Sequence, residues 1–213
     1  MNLIDGYFVI ILVLFAVNIS LLLGNYKLNN FKLTAVSVLY LIVTAIVLFL
    51  SKYLNYSLLD YFSYLFLVFA LIIFAVTLFY LRSDNFNLTL SLTTLTFISS
   101  MLLVSSQNDI DFFSLIIYSI SVFIISVIVY QITKLLHHAK RQYNVIVGEF
   151  MSLFSILLFV FSLTYNSTRN LDYTMFSSFL ILTPTYQLIY VIIIISVILI
   201  AGVVINESNG GNS

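Results

Sequence analysis

The sequence is short of the residue types with which water-soluble enzymes build their surfaces and many of their active sites. Of its 213 residues only 8% are charged, none is cysteine or tryptophan, and one is proline. Because soluble domains carry about a quarter charged residues, this chain lacks the polar surface that water requires. The absence of cysteine excludes disulfides, thiolate metal sites and cysteine nucleophiles. The adjacent pair His137 and His138 is too small a set for a multi-histidine metal site, so we expect no metal and no cofactor.

The charge pattern and the missing motifs exclude further classes of protein. Eight basic and eight acidic side chains give a formal net charge of zero, which leaves no basic patch for nucleic acid. The phosphate-binding loop, the dinucleotide fingerprint, the G-x-S-x-G elbow and H-E-x-x-H are all missing. An autonomous enzyme is therefore not expected. What the chain does have is 62% apolar residues, which indicates a lipid bilayer as its main solvent.

Seven apolar runs are long enough to cross a bilayer, at about 20 residues for each crossing. They span 7–23, 33–50, 58–81, 88–104, 112–136, 145–165 and 186–205. We predict an all-α, polytopic transmembrane helical bundle in one domain, 1–206, followed by a short disordered tail, 207–213. Before the last run, the short apolar stretch 175–182 precedes Pro184. This stretch is either a segment on the membrane surface or the start of a kinked last helix.

The basic residues of the connections predict an orientation. The first, third and fifth connections carry six basic residues. Only two, Lys52 and Arg169, lie in the second connection, the fourth connection and the segment after the sixth run. Since cationic loops stay on the side of synthesis, we predict the N-terminus outside and the C-terminus inside. The favoured residue types have AT-rich codons, which suggests an organellar or microbial genome. We expect an integral multi-pass protein of the inner mitochondrial membrane, with a microbial plasma membrane as the alternative.

Two acidic residues near the predicted membrane boundaries are candidate functional groups. Glu149 lies a few residues inside the sixth run, in the stretch RQYNVIVGEFMSLFSILLF. A carboxylate is costly to bury in hydrocarbon, so one interpretation is a proton-relay group. The other is an acid in the first turn of a helix, where free N–H groups favour negative charge and where Lys140 and Arg141 are near in sequence. Asp60, at the outer lip of the third run, is a candidate interfacial acid.

The fifth run carries a polar stripe at helical spacing. The stripe consists of Ser119, Ser126, Tyr130, Thr133, Lys134 and His137. In one interpretation this face contacts water inside a bundle, and Tyr130, Lys134 and His137 join Glu149 as candidates for a proton path. In the other, serine and tyrosine are simply common in this chain, and Lys134 begins a cationic anchor whose side chains extend to the lipid headgroups.

The C-terminal stretch SSFLILTPTYQLIYVIIIISVILIAGVVI resembles the end of subunit 6 of the NADH:quinone oxidoreductase membrane arm. The family closes with a short apolar segment, a proline matched by Pro184, and a last helix matched by ILIAGVVI. Unlike that family, the third run here has no glycine, and seven spans exceed the usual five. The resemblance implies a non-catalytic subunit of a proton-pumping respiratory complex, with other integral membrane subunits as partners. A small independent transporter and a structural membrane protein are the alternatives.

Overall fold

The computed structural model describes residues 3–53, 59–83, 85–106 and 111–169, and within these ranges the chain is all-helical. Six helices are long and apolar enough to cross a membrane. They are α1 (Leu3–Leu23), α2 (Asn30–Ser51), α3 (Phe62–Arg82), α4 (Phe86–Ser105), α5 (Phe112–Leu136) and α6 (Tyr143–Arg169). The predicted all-α bundle is therefore confirmed. The predicted seventh span, 186–205, the stretch 175–182 and the tail 207–213 lie outside the described residues.

Helix ends follow capping side chains as well as apolar runs. The side-chain oxygen of Asn29 accepts a hydrogen bond from the N–H of Asn30, at 2.7 Å, where α2 begins. Asn85 caps α4 in the same way through the N–H of Leu88, at 3.3 Å. Because these caps satisfy free donors, both helices begin two or three residues before the apolar runs that predicted them. The third helix begins later than predicted, since a 3-10 turn, Leu59–Tyr61, precedes it.

The helix connections place the charged residues at two ends of the bundle. We call the end where α1, α3 and α5 finish the Lys134 end, and the opposite one the Asp60 end. Basic residues gather at the Lys134 end: Lys27, Lys32, Arg82, Lys134, Lys140 and Arg141. The amine of Lys134 lies 3.2 Å from the side-chain oxygen of Asn30, which ties the end of α5 to the start of α2. Which end faces the cytoplasm or matrix stays a prediction.

Helix α1 lies at the centre of the described bundle. In its apolar window 67% of the residues are buried, against 22–44% in the other five helices. Both α1 and α2 contact α4 and α5, so these four helices share one interior. Helix α6 packs on α1 through an edge-to-face pair, Phe15 and Phe154, whose ring centroids are 4.8 Å apart. It also packs on α3, where the hydroxyl of Ser155 donates to the Ala70 carbonyl at 2.9 Å.

The outer faces of the bundle are apolar. Leu71 on α3, Ile128 on α5 and Leu153 on α6 are exposed by 58%, 55% and 65%. Exposing such a continuous apolar surface to water would be unfavourable for a monomer, whereas contact with lipid tails has no such cost. The inside of the bundle is mostly apolar too, but it also contains buried Ser, Thr and Asn side chains, and some of these form the candidate site.

Candidate functional site

The polar stripe of α5 faces the interior of the bundle. Its four hydroxyl-bearing members, Ser119, Ser126, Tyr130 and Thr133, are exposed by only 2%, 1%, 2% and 1%. Its two nitrogen-bearing members, Lys134 and His137, are exposed at the Lys134 end. The stripe thus runs from the buried middle of α5 to a charged group at the surface. Phe and Leu side chains would fill such an interior more simply, so the hydroxyls there are a distinguishing feature of the fold.

Tyr130 and Lys134 are brought together where α5 approaches the start of α2. The phenol of Tyr130 donates a hydrogen bond to the carbonyl of Leu28, at 2.9 Å. The Lys134 amine lies 5.8 Å from the centre of the Tyr130 ring, within the range of a cation–π interaction. Its contact with Asn30 holds the amine near the same loop. A phenol and an ammonium group are therefore neighbours at the boundary between the buried stripe and the surface.

His137 forms the outermost part of the same site. Its ring stacks on that of Tyr143 from α6, with centroids 4.0 Å apart and an angle of 21° between the planes. Its Nδ1 lies 2.7 Å from the carbonyl oxygen of Thr133, and donates to it in the tautomer that carries a proton there. Tyr143 in turn donates its phenol hydrogen to the carbonyl of Leu21 on α1. Stacking and hydrogen bonds thus join the ends of α1, α5 and α6.

A second hydrogen-bonded chain at this end was missed by the sequence analysis. Asn25 donates its side-chain amide to the phenol oxygen of Tyr80, at 3.1 Å. Tyr80 donates to the side-chain oxygen of Asn144, at 3.3 Å. The three residues come from the 3-10 turn after α1 (Gly24–Tyr26), the end of α3 and the start of α6. In the sequence, an amide or a phenol lies near each of three predicted helix ends, which is a weak sign of this chain. No spacing within one helix connects the three residues, however.

Glu149 lies apart from the α5 stripe. Its carboxylate is 3.3 Å from the guanidinium of Arg141, and the two side chains are exposed by 56% and 68%. Glu149 is six residues from the first residue of α6, about 9 Å along the axis at 1.5 Å per residue. The exposed pair is the geometry expected of an interfacial acid, and a role in a proton path stays a prediction.

Asp60 also lies at a surface. It is exposed in the 3-10 turn Leu59–Tyr61, which leads into α3 at the Asp60 end. Within the described ranges, no three side chains of the types His, Cys, Asp or Glu come close enough to hold a metal ion. The chemistry that these residues offer is hydrogen bonding and charge.

The ion pair of Glu149 and Arg141 is expected to contribute little to stability. Exposed pairs contribute about 0.2–1 kcal/mol because water screens the charges and two long side chains lose freedom. A double-mutant cycle with Glu149→Gln and Arg141→Gln, followed by unfolding in detergent micelles, should give a coupling of about 0.5 kcal/mol. A coupling well above about 1 kcal/mol would show that the pair is desolvated and not interfacial.

The fold and the site together define the class. The chain is an integral multi-pass membrane protein: a bundle of apolar helices with lipid-compatible outer faces, polar groups inside, and cations gathered at one end. Comparison with protein-family models, with curated proteins and with solved structures finds no match.

Proposed function

We propose that this protein is a non-catalytic membrane-arm subunit of a proton-pumping redox complex of the NADH:quinone oxidoreductase type. The inward-facing stripe of α5 is the observation that supports it. From Ser119 to Thr133 the stripe covers about 21 Å, at 1.5 Å per residue, of a hydrocarbon core about 30 Å thick. It leads to Lys134 and His137, whose side chains are exposed at the Lys134 end.

The chemistry of the stripe suits proton movement. Hydroxyl and phenol groups both donate and accept hydrogen bonds, so each can hold one end of a water chain. Polar groups inside a membrane bundle are costly, and they commonly mark ion or proton pathways. In this function Tyr130, Lys134 and His137 form the exit of the path. Glu149, paired with Arg141 apart from the stripe, is a further candidate for the path.

The outer faces are suited to neighbouring subunits as well as to lipid. Large aromatic side chains are exposed at the Asp60 end: Tyr53, Tyr61, Tyr64, Phe112 and Phe113. Aromatic rings concentrate at membrane boundaries and also anchor protein interfaces. We place the assembly in the inner mitochondrial membrane, with the plasma membrane of a microbe as the alternative, and the Lys134 end on the matrix or cytoplasmic side.

An independent small transporter is the second candidate. The shared interior of α1, α2, α4 and α5 favours it, since a polar centre enclosed by four helices suits a substrate path as well as a proton path. Native electrophoresis of a tagged chain in mild detergent separates the two functions. Co-migration with a large assembly that contains redox subunits is expected of the first candidate. Migration as a monomer or dimer would contradict it and favour the transporter.

Removal of the Tyr130 hydroxyl is expected to lower proton pumping. Tyr130→Phe keeps the buried ring but removes the phenol that reaches the Leu28 carbonyl. Acidification by the purified assembly in vesicles should fall, while electron transfer, at its separate site, proceeds. Tyr64→Phe is the matched control, because the Tyr64 residue lies on α3 and is 68% exposed. Proton pumping by this variant should equal that of the wild type. Equal pumping by both variants would exclude the α5 stripe from the path.

A further inference from the structure

Three exposed lysines surround the start of α2. The amine of Lys134, near the end of α5, lies 3.2 Å from the side-chain oxygen of Asn30, the first residue of α2. Lys27 is three residues before Asn30, and Lys32 is two residues after it. Since a chain spans at most about 3.6 Å per residue, their Cα atoms lie within about 11 and 7 Å of that of Asn30. We call Lys27, Lys32 and Lys134 the basic corner.

Neutral contacts hold the basic corner together. The phenol of Tyr130 donates a hydrogen bond to the carbonyl of Leu28, which is the residue next to Lys27. The amine of Lys134 lies 5.8 Å from the centre of the same Tyr130 ring. The loop that carries Lys27 is thereby fixed to the part of α5 that carries Lys134. Because like charges repel, an arrangement of this kind is more favourable when an anion lies beside it.

The described chain supplies no such anion at the basic corner. Glu149 is the only acidic residue that the structure describes at the Lys134 end, and its carboxylate lies 3.3 Å from the guanidinium of Arg141. Asp84 lies outside the described residues, in the connection that follows Arg82. Within the described ranges, the contact of the Lys134 amine is therefore the neutral side chain of Asn30. The corner carries a charge that an external anion can offset.

An exposed apolar stripe begins at the basic corner and runs along α2. Phe31, Val38 and Ile42 are exposed by 82%, 39% and 50%, and their spacing of seven and four residues puts them on one helical face. At about 100° per residue, Phe31 lies between Asn30 and Lys32 around the helix axis. From Phe31 to Ile42 the stripe covers about 16 Å, which is about half of a hydrocarbon core 30 Å thick. Charge at the boundary is thus continuous with apolar surface one leaflet deep.

This combination matches one class of membrane component. A free phosphate ion would offset the cations but leave the stripe to other molecules, and an apolar helix would cover the stripe but not offset the cations. A zwitterionic lipid brings its own ammonium group to the corner. A phospholipid with net negative charge supplies both an anionic headgroup and a tail of leaflet length, and basic sites between helices bind such headgroups. We infer that the basic corner and the stripe below it bind an anionic phospholipid in preference to a zwitterionic one.

This inference does not depend on the proposed function, because a bound lipid would serve a subunit and an independent transporter alike. A failure to co-migrate with a large assembly would leave the lipid preference in place. Equal binding of the two lipid classes would leave the native-gel result unchanged, so the two failures are distinguishable.

The lack of tryptophan in this chain provides the test. Val38→Trp introduces a single tryptophan on the stripe of the full chain, which is purified and placed in vesicles. Bromine atoms on a neighbouring acyl chain quench its fluorescence. Quenching by brominated phosphatidylglycerol, compared with quenching by brominated phosphatidylcholine, gives the relative binding constant of the two lipids there. We expect a preference of about fivefold for phosphatidylglycerol, the effect of one lysine on an anionic lipid surface.

Leu153→Trp is the matched control at the same end of the bundle. Leu153 is 65% exposed on α6 and lies ten residues after the start of its helix, against eight for Val38. It is four residues beyond Glu149, whose charge is paired, so the ratio there should be near one. Equal ratios at the two positions would overturn the inference. Loss of the preference on addition of inorganic phosphate, at constant ionic strength, would also overturn it and assign the corner to a free ion.

Two pairs of charge-removing variants locate the preference. Lys27→Gln combined with Lys32→Gln, in the Val38→Trp chain, should bring the ratio close to one. Arg82→Gln combined with Lys140→Gln removes the same charge from other exposed positions at the same end, and the preference should persist. An equal effect of both pairs would mean that total charge, and not the basic corner, selects the lipid, which would contradict the inference.

A second measurement uses the chain without an added tryptophan. A ligand that binds the folded state alone raises the melting temperature. Phosphatidylglycerol added to the wild-type protein in mild detergent should raise it more than phosphatidylcholine does. The difference should disappear when Lys27→Gln and Lys32→Gln are combined. Equal melting temperatures of the wild type with the two lipids would contradict the inference.

Discussion

Gly24→Ala is expected to lower the free energy of unfolding by about 1–3 kcal/mol, the range for an overfilled packed interior. A Cβ at Gly24 would lie inside van der Waals contact of the Tyr143 phenol oxygen and 2.9 Å from the Cβ of Thr133. Neither neighbour moves easily. Tyr143 is held by its bond to the Leu21 carbonyl and by stacking on His137, and Thr133 is fixed to the α5 backbone. Unfolding in detergent micelles with increasing denaturant measures the loss.

Two other glycines supply matched controls for Gly24→Ala. A Cβ at Gly6 meets nothing within 4 Å, so Gly6→Ala should be neutral or should stabilise α1 by up to about 1 kcal/mol through helix propensity. A Cβ at Gly148 meets mainly the flexible end of Leu81, which can rotate, so Gly148→Ala should fall between the two. If Gly24→Ala and Gly6→Ala gave equal stabilities, the close packing of α1 against α5 and α6 would be refuted.

Phe15→Ala is expected to lower the free energy of unfolding by about 2–4 kcal/mol, somewhat less than the 3–5 kcal/mol usual for such a truncation in water-soluble cores. The Phe15 ring is fully buried on the central helix and contacts Phe97 of α4 and Phe154 of α6, with centroids 5.8 and 4.8 Å away. In a bilayer the separated helices bury this ring in lipid, so burial from water contributes little. What remains is the lost packing and the cavity left between three helices.

Phe74→Ala is the control for that truncation. Phe74 lies on α3 and is 47% exposed on the outer face, where lipid occupies the space that the ring leaves. Its loss should change the free energy of unfolding by less than about 1 kcal/mol, as is usual for surface positions. Equal losses for Phe15→Ala and Phe74→Ala would mean that α1 is not the packing centre of the bundle.

Local sequence was sufficient to predict the helices that the structure describes, whereas it left two interpretations of the α5 stripe open. The fifth run, 112–136, has the same bounds as the helix, since it is predominantly apolar and has Lys134 in its last turn. The spacing of three, four and seven residues puts the hydroxyl groups of the stripe on one helical face, and only the packing of the bundle makes that face the buried one. Where polar caps such as Asn29 and Asn85 begin a helix, a count of apolar residues places the boundary too late.

Contacts between helices were not predictable in the same way. The chain of Asn25, Tyr80 and Asn144 joins three helices, and no periodicity within one helix signals it. Glu149 drew attention as an acid inside an apolar run, yet in the structure it extends to Arg141 at the surface. Asn18 had no such sequence signal, although its side chain is fully buried on the central helix. Whether a polar residue faces lipid or protein depends on the rotation and pairing of helices.

The sequence by itself determined that this protein is a membrane helical bundle. Lipid offers the backbone no hydrogen-bond partners, so long apolar runs must satisfy their own N–H and C=O groups as helices. The tertiary structure alone decided that α1 is central and that tyrosines and asparagines join the helices by hydrogen bonds at the cationic end. The physical reason is that these runs are apolar on nearly every side, so solvent does not select a face. Close packing and a few hydrogen bonds between distant residues select it instead.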